Sequence, residues 1–266
     1  MTSVRELMHE GLITCDSSTE LTEVAELLRK HRIHAAVVTD GSNHPIGVVS
    51  DTDLLAGEWL GNTPENVSVL RRMRAGELMS APLATIASSS SAVAAAIEIR
   101  RLHVARLLVM EGAVPVGVVA ISDLLGALSR PSPERSRVRD VMSWGYVACR
   151  PDAPYQGAIR AMQERRSRSL VVIDVRGRLV GVVTGFDLLA ILSGEAPPDG
   201  EIALLMKSPI TIDPDASLGE AVDLMLSASI HRLVVADAKR PGGPPLGLIS
   251  TADVMFEMAS PGSAWH

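Results

Sequence analysis

The chain of 266 residues contains few aromatic side chains and no excess of positive charge. Aromatic residues make up 3% of the sequence, and the formal net charge is −6. Proteins that bind nucleic acids usually present a basic surface, and those that bind single strands stack the bases on aromatic rings. The composition therefore argues against nucleic acid as a partner.

The sequence also lacks the common catalytic and metal-binding motifs. It contains no GxxxxGK[ST] loop, no HExxH, no GxSxG and no Cys/His cluster with metal-ligand spacing. We therefore expect no enzyme activity, no catalytic residues, no metal site and no cofactor in the strict sense.

Long apolar segments are missing as well. Residues 1–11 carry charges without a following apolar core, unlike a secretory leader. The longest uncharged run, residues 78–97, contains Pro82 and four consecutive serines, so it does not resemble a membrane span. These features predict a cytoplasmic protein that does not associate with membranes.

What the sequence does contain is one unit repeated four times. Each copy has a glycine six residues before an aspartate, and each opens with a methionine. Regular internal repetition decides the fold before any other signal. In chain order, the methionine, glycine and aspartate are Met8, Gly47 and Asp53 in copy 1; Met79, Gly117 and Asp123 in copy 2; Met142, Gly181 and Asp187 in copy 3; Met206, Gly247 and Asp253 in copy 4.

Between the methionine and the glycine, every copy shows the same apolar pattern. An i, i+3, i+4, i+7 stripe predicts an amphipathic helix, and a short run such as Leu233–Val235 predicts a buried strand. A turn rich in glycine, proline or aspartate, a second apolar run and another helix follow. The stripes are Leu21, Val24, Ala25, Leu28; Ala92, Ala95, Ala96, Ile99; Tyr155, Ala158, Ile159, Met162; and Leu218, Ala221, Val222, Met225.

This order of elements predicts an α+β fold of four small domains, at 1–60, 73–130, 135–193 and 200–260. A unit of about sixty residues buries little surface alone, so its apolar stripe must pack against another copy. The polar segment at 129–137 divides the chain into two pairs of copies, 1–130 and 131–266. Cys15 and Cys149 occupy strand positions that are Ile86 and Ile212 in the other copies, which predicts buried, reduced thiols.

The repeated unit resembles a cystathionine-beta-synthase (CBS) domain. The residues that carry the resemblance are the 209–214 stretch, the His231–Val235 segment and the Leu246–Asp253 segment, and four such domains cover nearly the whole chain. Copy 4 is especially similar to repeats of the gamma subunit of AMP-activated protein kinase, which also has four CBS domains. The resemblance implies that two copies form a pair with two clefts related by pseudo-twofold symmetry, and that two pairs stack into a disc.

Candidate binding residues lie where the second strand meets the following helix. Ser50, Thr184 and Ser250 stand three residues before their aspartates, a spacing typical of a helix capping box. The same turn can also bind an anion or hydroxyl groups, and the two roles are compatible. In copy 2, Ala120 replaces the hydroxyl residue, so we expect its cleft to be the weakest or empty. The resemblance implies a ribose-binding role for Asp53, Asp123, Asp187 and Asp253, supported by Ser50, Thr184, Ser250 and Thr251.

Cationic residues lie just before the strand that follows the amphipathic helix of each copy. An arginine can grip phosphate oxygens with its planar fork, and histidine can add a donor or a charge. The alternative is that these cations complement a helix C-terminus. The resemblance places the phosphate contacts at His231, Arg232, Arg168, Arg106 and His34, and we assign the adenine side to Thr14, Thr85, Thr211 and Ile212.

Three classes of function follow. The first is a regulatory sensor of an adenine nucleotide (AMP, ADP or ATP) that acts on a separate effector protein, as a monomeric disc or a homodimer. The second is a ligand-free scaffold for protein–protein contacts. Another adenosyl ligand, such as S-adenosylmethionine or NADH, is the alternative to a nucleotide within the first class. The third is a small enzyme, for which the sequence offers no catalytic constellation. The retained Ser/Thr-x-x-Asp pattern favours the sensor.

Overall fold

The computed structural model describes residues 2–56, 72–127, 136–240 and 243–258. These residues form two compact units, and the chain passes between them several times. Of the predicted divider at 129–137, residues 129–135 lie outside the described residues, and each unit contains chain from both sides of this segment. Unit 1 contains Met1–Leu12, Ala84–Tyr146 and Ile210–His266; unit 2 contains Ile13–Leu83 and Val147–Pro209.

The first two copies follow the predicted order of elements. Copy 1 consists of α1 (Val4–Leu7), β1 (His9–Glu10), β2 (Thr14–Asp16), α2 (Leu21–His31), β3 (Ala35–Thr39), β4 (Pro45–Ser50) and α3 (Asp51–Ala56). Copy 2 consists of α4 (Ala75–Leu78), β5 (Thr85–Ala87), α5 (Ala92–Leu102), β6 (Arg106–Glu111), β7 (Val114–Ala120) and α6 (Ile121–Ala127).

The last two copies repeat this order with small variations. Copy 3 consists of α7 (Val138–Val141), β8 (Ser143–Trp144), β9 (Ala148–Cys149), α8 (Tyr155–Glu164), β10 (Ser169–Ile173), β11 (Leu179–Thr184) and α9 (Gly185–Leu192). Copy 4 opens with a 3-10 turn (Ile202–Leu204) and continues with β12 (Thr211–Ile212), α10 (Leu218–Ser227), β13 (Arg232–Val235), β14 (Gly247–Ser250) and α11 (Thr251–Met258). Within the described ranges, no helix is both long enough and apolar enough to span a membrane.

Each copy contributes one small sheet, in which the last two strands of the copy pair antiparallel. Unit 2 holds the sheets of copies 1 and 3, with strand orders β2-β3-β4 and β11-β10-β9. Unit 1 holds those of copies 2 and 4, with orders β1-β7-β6-β5 and β12-β13-β14-β8. The short strand before the long helix of each copy is parallel to the strand that follows that helix, as in β2–β3, β5–β6, β9–β10 and β12–β13. The predicted mixed α+β fold is confirmed.

The predicted helical stripes form the cores of the two units. None of the stripe side chains on α2, α5, α8 and α10 is more than 5% exposed. In unit 2, the stripes of α2 and α8 share one hydrophobic cluster, and in unit 1 those of α5 and α10 share another. Because each stripe is buried together with that of a second copy, packing of copies supplies the apolar burial that one domain lacks.

The cysteines occupy the buried strand positions predicted for them. Cys15 is buried in the core of unit 2, Cys149 is half-buried against the same core, and both are free thiols. Burial raises the pKa of each thiol to about 11. Both cysteines therefore stay protonated near neutral pH and act as small apolar side chains.

The opening segments are exchanged between copies 1 and 2 and between copies 3 and 4. Met8 lies against Gly117, Met79 against Gly47, Met142 against Gly247 and Met206 against Gly181. A Cβ atom on Gly47 would come within 2.6 Å of the Met79 sulfur, so the close crossing requires glycine. This reciprocal exchange links copy 1 with copy 2 and copy 3 with copy 4, whereas the helical stripes pack between copies 1 and 3 and between copies 2 and 4.

Candidate functional site

The turn from β4 into α3 is closed by a reciprocal capping box. Asp53 Oδ2 accepts hydrogen bonds from the Ser50 backbone N–H at 2.8 Å and from Ser50 Oγ at 2.6 Å. In return, Ser50 Oγ accepts from the Asp53 N–H at 3.2 Å. The arrangement satisfies backbone donors that a helix start would otherwise leave unpaired.

The same geometry recurs in copies 3 and 4. Thr184 and Asp187 repeat the three contacts, with 2.6 Å between the hydroxyl and the carboxylate, and so do Ser250 and Asp253. In copy 2, Asp123 Oδ2 accepts only from the Ala120 N–H, at 2.8 Å. The capping interpretation is confirmed, and copy 2 has only half of the box.

The capping contacts occupy Oδ2 of each aspartate, so the second oxygen, Oδ1, decides what else the turn can bind. Ser80 Oγ lies 3.3 Å from Asp53 Oδ1, His9 Nε2 lies 3.2 Å from Asp123 Oδ1, and Lys207 Nζ lies 2.5 Å from Asp187 Oδ1. In the described part of the chain, Asp253 Oδ1 has no such partner.

Sequence reasoning missed the residues that approach Oδ1. Each directly follows an opening methionine, and each is brought to the turn by the exchange of opening segments. The signal in the sequence was the shared register, in which His9, Ser80, Ser143 and Lys207 are equivalent. Their backbones pair with the residue after each motif glycine, namely Val118, Val48, Leu248 and Val182.

Several predicted residues of copy 4 come together on one face of its sheet. Arg232 is directly opposite Ser250 in the antiparallel pair β13–β14, and opposite residues project to the same face. Thr211 pairs with Val234, two residues along β13, and therefore shares that face. Ser250, which caps the turn at Asp253, thus shares one face of the sheet with Arg232 and Thr211.

Two predicted residues of copy 4 are corrected by the structure. Ile212 belongs to the opposite face, where it is buried with Leu233, Val235 and Ile249 in the core of unit 1. An isoleucine in that position stabilises the core and is not available to an adenine. Thr251 is the first residue of α11 and is 7% exposed, so its side chain also packs inward.

In the other copies, the equivalent face carries different side chains. Copy 2 places Arg106 opposite Ala120, with the exposed Thr85 alongside at the Leu108 position. Copy 1 has the exposed Thr14 but Ala35 in place of the arginine, and copy 3 has Ser169. Among the described residues, the strand position opposite the residue before the last helix is an arginine in both copies of unit 1 and not in those of unit 2.

In each copy, the segment just before the strand that follows the long helix lies beside the start of the last helix. The carbonyl groups of His34, Arg168 and His231 accept the N–H of the first helical residue at 3.0 to 3.1 Å. His34 turns its ring toward acidic and aromatic neighbours, because Nδ1 lies 2.8 Å from Asp51 Oδ2 and the ring centroid lies 4.9 Å from that of Phe186. Its position beside a carboxylate disfavours the predicted phosphate role. The side chains of Arg168 and His231 are exposed.

The chemistry available at each turn is that of a single carboxylate with nearby donors. Among residues 2–56, 72–127, 136–240 and 243–258, no three histidine, cysteine or acidic side chains could hold a metal ion together. A carboxylate oxygen can accept hydrogen bonds from a diol, and an arginine can donate to a phosphate. Copy 4 offers both with the second carboxylate oxygen unengaged.

Comparison with known proteins places the chain in a family. The model of the CBS domain matches residues 4–58, 75–130, 138–194 and 200–260, which together make up most of the sequence. The chain therefore belongs to the CBS-domain family, with four copies of the domain.

Individual relatives share the domain but differ in length. An uncharacterized protein of Methanocaldococcus jannaschii is 27% identical over 146 residues, which cover 54% of this chain and 33% of that protein. The gamma-3 subunit of bovine 5'-AMP-activated protein kinase is 26% identical over 112 residues, which cover 39% of this chain and 22% of the subunit. The chain thus spans a third or less of the length of these two relatives.

A solved structure matches along the whole chain. The crystal structure of a Methanocaldococcus jannaschii protein, described as a proposed archaeal homologue of g-AMPK, superposes with a TM-score of 0.78. The match covers 96% of this chain and 99% of the other at 17% sequence identity. At this identity, the match concerns the arrangement of four CBS domains and not a shared ligand.

Proposed function

We propose that the protein is a regulatory adenine-nucleotide sensor whose principal binding site is the strand–helix turn of copy 4. The observation that carries the proposal is the Asp253 carboxylate, whose Oδ2 is fixed by Ser250 while Oδ1 is unengaged within the described residues. A fixed carboxylate with a free oxygen suits the two hydroxyl groups of a ribose, because it can accept from both without reorganising.

The surroundings of Asp253 fit the rest of a nucleotide. Arg232 extends from the face that carries Ser250, and His231 lies next to the start of α11. Both can bind phosphate oxygens, with charge-assisted hydrogen bonds in the case of arginine. Thr211 lies at the outer edge of the same face, where a base can contact the backbone and hydroxyl of β12. These are the copy 4 residues that retain their predicted ligand roles.

The proposal concerns binding and not catalysis. Family membership along most of the chain and the kinase subunit among its relatives support a regulatory protein that acts on a separate effector. We propose a cytoplasmic location, with the two pairs acting as a monomer or a homodimer. The effector would be a protein that contacts a surface of this chain whose structure changes when the nucleotide binds.

Calorimetric titration of the purified protein with AMP, ADP and ATP tests the proposal, after a thermal-shift survey that also includes S-adenosylmethionine and NADH. A hydrogen bond to a charged group contributes about 1.5 to 3 kcal/mol, so Asp253→Ala should weaken nucleotide binding by roughly ten- to a hundredfold. Asp123→Ala is the matched control, because that carboxylate already faces His9.

The alternatives give different results in the same experiment. A ligand-free scaffold predicts no heat of binding and no thermal shift with any of these compounds. Binding of S-adenosylmethionine or NADH in preference to AMP would keep the site but change its ligand. Unchanged nucleotide affinity in Asp53→Ala, Asp187→Ala and Asp253→Ala would leave the aspartates with a capping role only.

A further inference from the structure

The residue that follows each opening methionine differs in charge among the four turns, although its place is the same. It is His9 at Asp123, Ser80 at Asp53, Lys207 at Asp187 and Ser143 at Asp253. The contacts come from the paired copy, so the turns at Asp123, Asp53 and Asp187 receive a donor that their own repeats do not encode. These three carboxylates have an imidazole, a neutral hydroxyl and an ammonium group beside Oδ1, whereas Ser143 makes no such contact to Asp253 within the described residues.

The turn of copy 3 has the strongest such contact. Lys207 Nζ lies 2.5 Å from Asp187 Oδ1, while Thr184 donates twice to Oδ2. The Asp187 side chain is 5% exposed and that of Lys207 is 70% exposed, so a solvated cation covers a buried acceptor. Both oxygens of this carboxylate are engaged.

The turn of copy 4 is the opposite case. Ser143 pairs with Leu248 as Lys207 pairs with Val182, yet its short neutral side chain makes no hydrogen bond to Asp253 within the described residues. The two turns have the same capping distances to within 0.1 Å. They therefore differ at Oδ1 and not in the frame that holds the carboxylate.

We propose that the residue after the opening methionine determines which turns accept a ribose-bearing ligand. Resting on the proposed function, this inference assigns Lys207 to cover Asp187 Oδ1 against a neutral diol, and Ser143 to leave Asp253 Oδ1 open. A ribose hydroxyl would have to replace an ammonium group at a buried carboxylate, and a charged donor forms the stronger hydrogen bond. The hydroxyl of Ser80 at Asp53 is a weaker competitor, and His9 at Asp123 lies between these cases.

Exchange of the two residues tests the inference by calorimetry with adenosine and AMP. Ser143→Lys should weaken adenosine binding by about tenfold, and Lys207→Ser should add a binding event at Asp187. Adenosine is included because it has no phosphate. An added lysine would attract the phosphate of AMP, and this attraction could mask its competition with the ribose for Asp253. Lys239→Ser, which removes an exposed lysine elsewhere, controls for net charge.

Carbodiimide crosslinking provides a readout that needs no ligand affinity. A zero-length amide between Lys207 and Asp187 should be detected by peptide mass spectrometry, and excess AMP should not reduce it. In Ser143→Lys, a new crosslink should join position 143 to Asp253. Absence of the first crosslink, or its loss when AMP is added, would overturn the inference.

The two proposals fail in distinguishable ways. If the wild type binds adenosine and Ser143→Lys binds it equally well, the inference about position 143 is wrong while the proposed function stands. If the wild type binds no adenine compound, the proposed function is wrong. In that event, adenosine binding gained by Lys207→Ser would still support the inference that Lys207 covers Asp187 Oδ1. Absence of adenosine binding in this variant would refute it.

Discussion

Units 1 and 2 are built from copies of the same domain, yet the opening segments pair differently in the two units with the strands that carry the motif glycines. In unit 1, β1 and β8 are two-residue strands whose backbone approaches Gly117 and Gly247. In unit 2, the crossing is a single bridge, and the nearest atoms to Gly47 and Gly181 are methionine sulfurs. In unit 1, a Cβ atom at the glycine would collide with backbone atoms. In unit 2, it would first meet a methionine side chain, which can move.

The units also differ in the charge they bring to the turns. In unit 1, β6 and β13 begin with Arg106 and Arg232. The equivalent strands of unit 2, β3 and β10, begin with Ala35 and Ser169. Unit 2 instead carries the ion pair of Lys207 with Asp187. Alternate copies share a unit, so the arginines of copies 2 and 4 lie in one unit and the ion pair of copy 3 lies in the other.

The largest expected effect comes from adding a methyl group at the two kinds of crossing. In Gly247→Ala, the new Cβ would collide with the Ser143 carbonyl oxygen, whereas in Gly181→Ala it would meet the Met206 sulfur at 2.9 Å. Overpacking costs about 1 to 3 kcal/mol, so we expect about 3 kcal/mol for Gly247→Ala and about 1 kcal/mol for Gly181→Ala. Urea unfolding followed by circular dichroism measures both, and equal losses would contradict the difference between the units.

A smaller effect is expected for the arginine that distinguishes unit 1. Arg232→Ala should weaken AMP binding by roughly tenfold or more and leave adenosine binding nearly unchanged, because only AMP loses a charge-assisted contact. The effect should shrink at high salt, which screens exposed charges. Arg178→Ala, which removes an exposed arginine of unit 2, is the control. Equal losses for the two ligands would mean that Arg232 stabilises the fold and does not reach a phosphate.

The smallest effect concerns the incomplete capping box of copy 2. Ala120→Ser should supply the missing hydroxyl and raise the free energy of unfolding by about 1 kcal/mol, and Thr184→Ala should lower it by a similar amount. Ser42→Ala, in an exposed turn, should change little. Thermal unfolding of the three variants checks the prediction, and a destabilised Ala120→Ser would show that this turn cannot accommodate the hydroxyl.

The sequence predicted those features that depend on local periodicity. Stripes such as that of α10 specify their own buried face, and the apolar runs specify strands with one core face. The spacing of Ser250 and Asp253 likewise defined a cap that needs only four consecutive residues. The cysteines were predicted correctly because an isoleucine at the same repeat position reports burial.

What the sequence could not supply was contact between distant residues. Nothing near Asp187 indicates Lys207, because the contact exists only after opening segments have been exchanged. The assignment of Ile212 to the adenine side together with Thr211 conflicts with the buried strand position that the repeat alignment indicated for Ile212, because adjacent strand residues point to opposite faces. The grouping of copies 1 and 3 in one unit also depends on packing that no linker composition reveals.

The exchange of opening segments limits how this chain can be shortened or extended. Deleting one copy would remove the methionine that covers the glycine of its neighbour, and would leave the neighbour's opening segment without a strand to cross. Two copies lost or gained together leave every crossing complete. The chain can therefore be shortened or extended without losing a crossing in steps of two adjacent copies, but the stripes of α2 and α5 would still need those of α8 and α10 to complete their cores.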